Sequence, residues 1–502
     1  MEPYKDRMRQ LIDLAITAGR ALQSPQTRFI HHCYSLRDEQ VDHTIPLYEN
    51  FLFVLALLRI RFPSLTEEAK ALLDPLLYFQ NQLLDEQKGN FPIYIHDYPK
   101  CKDRFLSIKL LPVFYWILLR HAGVLGEELR ARTEQAAKEM LRYSLSLDFE
   151  TLPFVFAIKL AAASCAFGKL WQHSEWQSLG EERLSILLEK SQDPEFGTWC
   201  VPPYAAHSFI SLQMLYPDLS QTPWKHLWKH LCACWDRQAL TYIGPGVKEE
   251  QWGRESFLTL FDYVMCYLGE NFPYRCFQQH IAQLEGALVQ PCEVMIPALP
   301  LNSVVEGEVA HHRYTICRRP LYSLSLMQKK ALPDPVVDNT FLPFRMVWGS
   351  EMRARSFVVQ GGNASVMDYE LHDEGVDLTF VLDQGIDTNH KEKSREILFY
   401  LDMDPDDEIT VDGQKATVFR FKDKIVIDAR HLKITLTFDR ISGEGTFQGH
   451  LAAANRPSQR DLHAEKRFEV YDRILFLRTI RRPGVVQLRV SIRVEESSDK
   501  SL

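Results

Sequence analysis

Ile45-Pro46-Leu47-Tyr48 leads into Phe51-Leu52-Phe53-Val54-Leu55-Ala56-Leu57-Leu58, and a proline before an apolar stretch recurs through the first 245 residues. The further copies are Phe91-Pro92-Ile93-Tyr94, Leu152-Pro153-Phe154-Val155, Val201-Pro202-Pro203-Tyr204 and the weaker Gly244-Pro245. A repeat of about 20–50 residues, or a little longer, indicates stacked supersecondary units. Proline is favoured in the first turn of a helix, where its missing N–H would have no partner anyway. The repeat therefore predicts helical hairpins with a proline at the entry to one helix of each pair.

The two helices of each predicted hairpin differ in polarity. The stretch after Pro46 is apolar on all sides, which is typical of a buried helix, whereas residues 127–134 carry a charged face. Buried helices that alternate with half-exposed ones favour a ring of two layers. We predict an incomplete α/α toroid of about five or six helical hairpins, with a superhelical α-solenoid as the competing arrangement.

The pattern changes after a break near residues 293–320, beyond which apolar and polar residues alternate. The stretches 431–438 and 485–492 show the alternation of β-strands. Val411-Asp412-Gly413-Gln414 predicts a hairpin turn, because Asp-Gly tolerates positive φ. Many short strands predict an antiparallel β-sandwich after the toroid. We predict a toroid domain at 1–292, a linker and first β segment at 293–320, a sandwich domain at 321–495 and a tail at 496–502.

Composition limits the class of protein. The formal net charge of −8 over 502 residues argues against a nucleic-acid-binding protein, since such proteins bind phosphate through cations. The most apolar stretch, Phe51–Ile60, is too short to span a bilayer. The first ten residues lack the apolar core of a signal peptide, and the ten scattered cysteines are typical of buried thiols. We expect a cytoplasmic protein with no nucleic-acid or membrane partner.

The motifs of several enzyme classes are missing from the sequence. It lacks the glycine-rich loops of nucleotide-binding proteins, the His-Glu-x-x-His of zinc proteases and the Gly-x-Ser-x-Gly of α/β-hydrolases. The acidic run 402–408 lacks the glycine and the distal glutamate of a calcium loop, so we interpret it as a solvated hairpin loop. We expect no cofactor and no metal site.

Residues around the repeated prolines are the candidates for a binding cleft. In a ring of hairpins the loops entering the inner helices meet at one rim, where helix N-termini add partial positive charge. The side chains there are rich in aromatic rings and in proton donors and acceptors. We predict that five of them bind an oligosaccharide: Tyr94, His96, Trp199, Glu250 and Trp252. Aromatic faces stack on sugar rings, and ordinary packing between helices is the alternative for each ring.

Tyr204 and His207 lie three residues apart, on one face of a predicted helix start. A tyrosinate or a neutral imidazole can abstract a proton α to a carboxylate, and Arg254 can hold that carboxylate and stabilise the developing charge. β-Elimination from a uronic acid needs these groups, so we predict Tyr204, His207 and Arg254 as catalytic residues. A core histidine is the alternative for His207. Asp97 with Glu250 is the alternative chemistry, a carboxylate pair for glycoside hydrolysis.

His311-His312-Arg313 opens the predicted β domain. Because side chains alternate along a strand, only one of the two histidines can face a cleft. We predict His311 as a substrate-binding residue, and a surface strand is the alternative.

A helical ring followed by an antiparallel β domain resembles the polysaccharide lyases of the heparinase II/III-like and alginate lyase type. The resemblance covers nearly the whole chain in layout and rests on no specific motif. It implies cleavage of uronic-acid-containing glycans by β-elimination, with a tyrosine, a histidine and a basic or amide residue around the uronate. By location these are Tyr204, His207 and Arg254, with His311 or His312 from the β domain. A non-catalytic glycan- or protein-binding protein and a glycoside hydrolase are the alternatives on the same scaffold.

Overall fold

A computed structural model gives the fold of the chain. It describes residues 2–33, 44–83, 85–193, 202–216, 222–236, 238, 241–245, 281–289, 302–309, 311–330, 342–350, 353–362, 364, 366–384, 395–429, 432–455, 471–479 and 484–496. The chain divides into two compact units. The helical unit comprises Met1–Cys232 and Gly253–Ala298, and the β unit comprises Ala233–Trp252 and Leu299–Leu502.

The helical unit consists of helices that pair along the chain. They are α1 (Glu2–Leu22), α2 (Leu47–Ile60), α3 (Pro63–Leu76), α4 (Leu106–Leu125), α5 (Glu127–Ser146), α6 (Phe154–Trp171), α7 (Ser174–Gln192), α8 (Pro202–Leu212), α9 (Lys225–Ala233) and α10 (Glu285–Leu288). Short 3₁₀ turns lie at Leu77–Phe79, Ile95–Asp97, Phe149–Thr151 and Ile281–Leu284.

The helices form the two predicted layers. Helices α2, α4, α6 and α8 pack side by side in that order, and α3, α5 and α7 pack outside α2, α4 and α6 respectively. Every residue of α2 from Leu47 to Leu58 is buried, whereas α5 and α7 bury one face only. This layering is that of an incomplete α/α toroid, as the alternation of apolar and half-polar segments predicts.

The repeated proline marks three of the inner helices. Pro46 and Pro153 directly precede α2 and α6, and Pro202 is the first residue of α8. Pro92 differs, because it lies in the long loop that connects the 3₁₀ turn Leu77–Phe79 to α4. Pro245 belongs to the β unit, where its carbonyl accepts a hydrogen bond from Leu342 N at 3.0 Å. The prediction that proline enters an inner helix is therefore right for Pro46, Pro153 and Pro202 and wrong for Pro92, while the residues after Pro245 lie outside the described part of the chain.

Helices α4 and α6 are long and apolar enough to cross a membrane by composition alone. Most of each is buried inside the unit, with 67% and 72% of the most apolar windows covered. Their apolar character is explained by their place in the inner layer, where each touches helices on several sides.

Gly168 on α6 and Gly180 on α7 let these two helices approach closely. A Cβ on Gly180 would overlap the backbone of Cys165 and lie 2.7 Å from the carbonyl oxygen of Ala161. A Cβ on Gly168 would lie 2.5 Å from the backbone nitrogen of Gln177. These contacts are backbone atoms, so a larger residue forces the helices apart.

We expect Gly180→Ala to lower the free energy of unfolding by about 1–3 kcal/mol. The overlap with α6 outweighs the gain in helix propensity, which is at most about 1 kcal/mol. Gly123→Ala in α4 is the matched control, because no atom lies within 4 Å of its added Cβ, and it is expected to be neutral or stabilising. Chemical denaturation of both variants measures the difference, and equal effects at the two glycines would contradict the packing argument.

The β unit contains two large antiparallel sheets. Its strands are β1 (Trp235–Asp236), β2 (Thr241–Tyr242), β3 (Ser303–Val309), β4 (His312–Arg318), β5 (Tyr322–Met327), β6 (Phe344–Ser350), β7 (Arg353–Gly362), β8 (Val366–His372), β9 (Gly375–Gln384), β10 (Arg395–Leu401), β11 (Glu408–Val411), β12 (Val418–Phe419), β13 (Ile425–Ala429), β14 (Leu432–Ser442), β15 (Phe447–Ala453), β16 (Arg473–Thr479) and β17 (Gly484–Glu496). The nine-stranded sheet has the order β12-β15-β16-β10-β7-β6-β5-β4-β3, and the six-stranded sheet has the order β11-β13-β14-β17-β9-β8.

The two sheets share one apolar core, which makes the unit the predicted sandwich. Phe399 of the larger sheet lies between Phe380 and Phe438 of the smaller one, with ring centroids 6.3 and 6.0 Å apart. Asp412 and Gly413 form a two-residue hairpin turn, as the sequence predicts, with φ of 48° at Asp412 and 78° at Gly413.

The segment Ala233–Trp252 lies within the residues predicted as toroid, yet it groups with the β unit. Its strands β1 and β2 pair with each other, and its backbone is held by side chains of the larger sheet. Ser325 Oγ donates to the carbonyl of Ile243 at 2.9 Å, and the Arg318 guanidinium donates to that of Ala233 at 2.6 Å. Ser325 faces away from the sandwich core, so this segment covers the outer face of β5.

The acidic run 402–408 differs from its prediction as a solvated loop. Asp402 is fully buried and accepts hydrogen bonds from the backbone N–H and the hydroxyl of Ser356, each at 2.9 Å. Asp404 is also buried and forms an ion pair with Arg355. These carboxylates hold the end of β10 to β7, a structural role.

Candidate functional site

The N-terminal ends of the inner helices form the candidate site. Successive hairpins bring their inner helices into parallel order, so the N-termini of α2, α4, α6 and α8 lie on one rim of the toroid. Neither Pro46 nor Pro153 supplies a capping side chain to α2 or α6. The partial positive charge of these helix ends favours an anionic group at the rim.

Tyr94 and His96 lie together at this rim. The loop that carries them forms a short bridge with the residues before α2, in which Leu47 N donates to Ile93 O and Ile95 N donates to Ile45 O, each at 2.9 Å. The rings of Tyr94 and His96 stack with centroids 5.3 Å apart and planes inclined by 11°. Tyr94 is half-buried and His96 is exposed. The pair therefore presents an aromatic surface next to the start of α2, and its part in substrate binding stays a prediction.

A network of buried polar side chains holds this loop in place. Asn90 donates to the carbonyl of Asp103 at 2.9 Å and accepts from the hydroxyl of Ser107 at 2.7 Å. Gln80 donates to the carbonyl of Gly89 at 2.9 Å. Buried polar side chains that are satisfied in this way hold a loop in one conformation. The sequence gives no signal for this network, because its members are far apart in the chain.

Two further residues, Gly89 and Phe91, determine the path of this loop. Gly89 has φ of 92°, and a Cβ there would lie 2.5 Å from the carbonyl oxygen of Glu139, so only glycine fits. Phe91 is fully buried and packs against Phe51 of α2, with ring centroids 5.4 Å apart. Phe91 thus anchors the loop to α2.

Tyr143 on α5 closes the network on its outer side. Its hydroxyl lies 3.1 Å from both the carbonyl oxygen of Arg104 and the side-chain oxygen of Gln87. Burial raises the pKa of Tyr143 to about 12, so the phenol keeps its proton and stays a hydrogen-bond donor. Its role is to hold the loop in place.

The predicted catalytic residues fall partly within the described residues. Tyr204 and His207 are both on α8, three residues apart, and His207 is half-buried. The hydroxyl of Ser211 donates to the backbone carbonyl of His207 at 3.0 Å. Arg254, Trp199, Glu250 and Trp252 lie outside the described residues. The structure thus brings Tyr94 and His96 into contact, and the predicted catalytic assembly stays a prediction.

The β-unit histidines have different surroundings. His311 is exposed at a turn between β3 and β4, with φ of 60°, and its Nδ1 lies 3.7 Å from Glu308. His312 is buried, and its Nδ1 lies 2.9 Å from the carbonyl oxygen of Gln328. Of the two histidines, His311 is the accessible one, and its part in substrate binding stays a prediction.

The described thiols and acidic groups behave as structural elements. Six cysteines lie in the described part of the chain, and all six are buried: Cys33, Cys101, Cys165, Cys232, Cys234 and Cys317. Burial, with a contribution from Asp85, raises the pKa of Cys101 to about 12, which keeps it a thiol. Among the described residues no group of three or more His, Cys, Asp or Glu side chains is arranged to hold a metal ion.

Comparison with known proteins shows a likeness of fold only. No protein-family model matches the sequence, and no curated protein is significantly similar to it. Heparinase III is similar in structure with a TM-score of 0.56 at 10% identity, over 97% of this chain and 86% of that protein. A chondroitin AC lyase variant from Streptomyces coelicolor has a TM-score of 0.47 at 10% identity, over 99% and 80% of the two chains. A heparan sulfate lyase from Pedobacter heparinus has a TM-score of 0.43 at 8% identity, over 98% and 83%.

Proposed function

We propose that this protein is a lyase that cleaves uronic-acid-containing oligosaccharides or polysaccharides by β-elimination at the toroid rim. The observation that supports this most strongly is the stacked Tyr94–His96 pair, held on a fixed loop beside the start of α2. The shared fold with heparinase III, a toroid followed by a β-sandwich, adds support at the level of architecture. The N-termini of α2 and α6 at the same rim, which receive no side-chain cap from Pro46 and Pro153, carry partial positive charge that suits a substrate with carboxylates.

The reaction needs a base, an acid and a group that holds the carboxylate. A base removes the proton at C5 of the uronic acid, α to its carboxylate, and the C4–O bond then breaks. A C4=C5 double bond forms, and the leaving oxygen takes up a proton, so a single residue can serve in turn as base and acid. Charge that builds up on the carboxylate is stabilised by a neighbouring cation or hydrogen-bond donor.

We assign these roles to residues on and after α8. Tyr204 and His207, one helical turn apart on α8, are the base and acid, and Arg254 holds the carboxylate. The substrate-binding set comprises Tyr94, His96, Trp199, Glu250, Trp252 and His311. In this scheme the aromatic residues stack on sugar rings, and the polar residues bind hydroxyl groups.

The test is a product assay. The purified protein is mixed with a panel of uronic-acid glycans, including alginate, chondroitin sulfate and heparan sulfate fragments, and the ultraviolet absorbance of the unsaturated uronate is followed. We expect product from at least one glycan and its loss in Tyr204→Phe. Folded protein that forms no unsaturated product with any of them contradicts the proposal.

Two other outcomes have defined meanings. Binding of a glycan without product, unchanged in Tyr204→Phe, would identify a non-catalytic glycan-binding protein. New reducing ends without the ultraviolet signal would identify a glycoside hydrolase.

A further inference from the structure

The loop between Tyr94 and α4 exposes every second side chain. His96, Tyr98, Lys100, Lys102 and Arg104 are exposed, and Tyr94 at the start is half-buried. The residues between them point inward to varying degrees, and Cys101 is buried. Together these six residues form a surface that we call the exposed strip: Tyr94, His96, Tyr98, Lys100, Lys102 and Arg104. It is aromatic at one end and cationic at the other.

The exposed strip follows the rim from one inner helix to the next. Tyr94 pairs with Pro46, which directly precedes α2, and Arg104 lies two residues before Leu106, the start of α4. Helices α2 and α4 are neighbours in the inner layer. A linear ligand bound at the rim beside Tyr94 therefore has a continuous path along the strip towards α4.

The strip is held rigidly over its whole length. Lys100 N donates to the carbonyl of Asp97 at 2.8 Å, and the Lys102 ammonium lies 3.1 Å from the Asp97 carboxylate. Asp103 accepts from Phe105 N at 2.7 Å, and the Arg104 carbonyl accepts from Tyr143. A surface fixed in advance loses little conformational entropy when a ligand binds.

The charge of the strip contrasts with that of the protein. The chain has a formal net charge of −8, yet three cations follow one another along the strip, and of the two carboxylates in the same loop Asp97 pairs with Lys102 and Asp103 with Lys109 of α4. Lys102 is 71% exposed despite that pair, so its ammonium is available to a ligand. Cations on a rigid surface attract a polymer of opposite charge, and aromatic rings beside them stack on its rings.

We propose that the exposed strip is an extended binding surface for a linear anionic glycan, whose carboxylates or sulfates contact Lys100, Lys102 and Arg104. This inference rests on the proposed function, because the strip would bind the part of the same glycan substrate that continues beyond the cleft. It predicts that long chains bind more tightly than short ones and that salt removes the difference. Single-stranded nucleic acid also combines rings with charge, but the proposed function favours a glycan, and the test below includes DNA as a competing polyanion.

The test compares two triple variants of equal charge. Lys100→Gln/Lys102→Gln/Arg104→Gln neutralises the strip. Lys225→Gln/Lys229→Gln/Arg130→Gln removes two lysines and one arginine that are also exposed, on α9 and α5. Binding of labelled chondroitin sulfate and alginate fragments, short and long, is measured by fluorescence anisotropy at low and high salt. A single-stranded DNA oligonucleotide of similar charge is included as a competing polyanion.

We expect the strip variant to bind long glycan fragments roughly tenfold more weakly at low salt, as three exposed charge contacts would give. Short fragments should be affected less, and the control variant should bind as the wild type does. Equal losses in both variants, no loss in the strip variant, or no binding of any glycan by folded protein would overturn the inference. Tighter binding of the DNA through the same three residues would overturn it in favour of a nucleic-acid surface.

The binding test and the product assay distinguish a failure of the proposed surface from a failure of the proposed activity. Strip-dependent binding without unsaturated product would contradict the proposed lyase activity and support the proposed binding surface. Product formation, together with unchanged glycan binding in the strip variant, would contradict the proposed binding surface and support the proposed lyase activity.

Discussion

Glu285→Gln is expected to lower the free energy of unfolding by about 3–5 kcal/mol, the largest effect on stability that we predict. Glu285 begins α10, and its carboxylate lies 3.3 Å from the ammonium of Lys159 on α6. Both side chains are almost completely buried, with 2% of Lys159 and 1% of Glu285 exposed. Removing one charge of a buried pair leaves the other in the protein interior without compensation, which costs more than the pair itself contributes.

The position of the pair explains why the effect should reach beyond two residues. Residues 281–288 pack against α1 and α2, and the Arg59 guanidinium of α2 donates to the carbonyl of Leu288 at 2.6 Å. Lys159 reaches the same segment from α6, on the other side of α4. A segment contacted from both α2 and α6 lies on the concave side of the inner layer. The ion pair thus ties the segment to the ring interior, and Glu285→Gln should increase hydrogen exchange across 281–289.

Two controls separate a buried pair from an ordinary one. Glu134→Gln breaks the surface pair with Arg130, and we expect a loss of only about 0.3–0.5 kcal/mol. Lys159→Met/Glu285→Leu removes both buried charges, and it should recover most of the stability lost in Glu285→Gln. Denaturation curves of the three variants give the comparison. A double variant no more stable than Glu285→Gln would contradict the argument that the uncompensated Lys159 charge causes the loss.

The toroid could be predicted because its signal is local. Pro46, Pro153 and Pro202 each stand at a helix start, and the apolar stretches after them are long enough to be read by period alone. Pro92 has the same local sequence but does not start a helix. Its surroundings are decided by Gln80, Asn90 and Ser107, which hold the loop through contacts between distant parts of the chain. No pattern in the sequence reports such contacts.

The β unit shows the same limit. Alternation predicted the strands, since each strand carries its own signal of burial on one face. The acidic run was interpreted as solvated because charge usually means exposure. Asp402 and Asp404 are buried because Ser356 and Arg355 of the neighbouring strand satisfy them, and pairing between strands is not visible in either strand alone. For the candidate site, proximity to the repeated proline pointed to Tyr94 and His96, which the structure brings into contact, but not to the groups that hold their loop.

His121 is expected to make the stability of the protein depend on pH between about 4 and 6.5. His121 is buried in the C-terminal half of α4, and burial is the main cause that lowers its pKa from 6.5 to about 4. The guanidinium groups of Arg61, Arg59 and Arg120 lower it further, because each repels a second positive charge. The unfolded chain, with an ordinary imidazole, therefore binds a proton in this range that the folded protein does not.

The sign follows from that difference in bound protons. Where the unfolded state binds more protons, stability rises with pH, so the contribution of a neutral His121 is complete above pH 6.5 and is lost as pH falls to about 4. The whole shift corresponds to about 3 kcal/mol. His121→Gln carries no titrating group at this position and should lose correspondingly less stability over the same interval. His96→Gln removes an exposed imidazole and controls for the loss of a histidine as such. Urea denaturation at several pH values from 4 to 7.5 measures the three proteins. Parallel curves for wild type and His121→Gln would mean that the three arginines and the surrounding apolar residues do not keep this imidazole neutral.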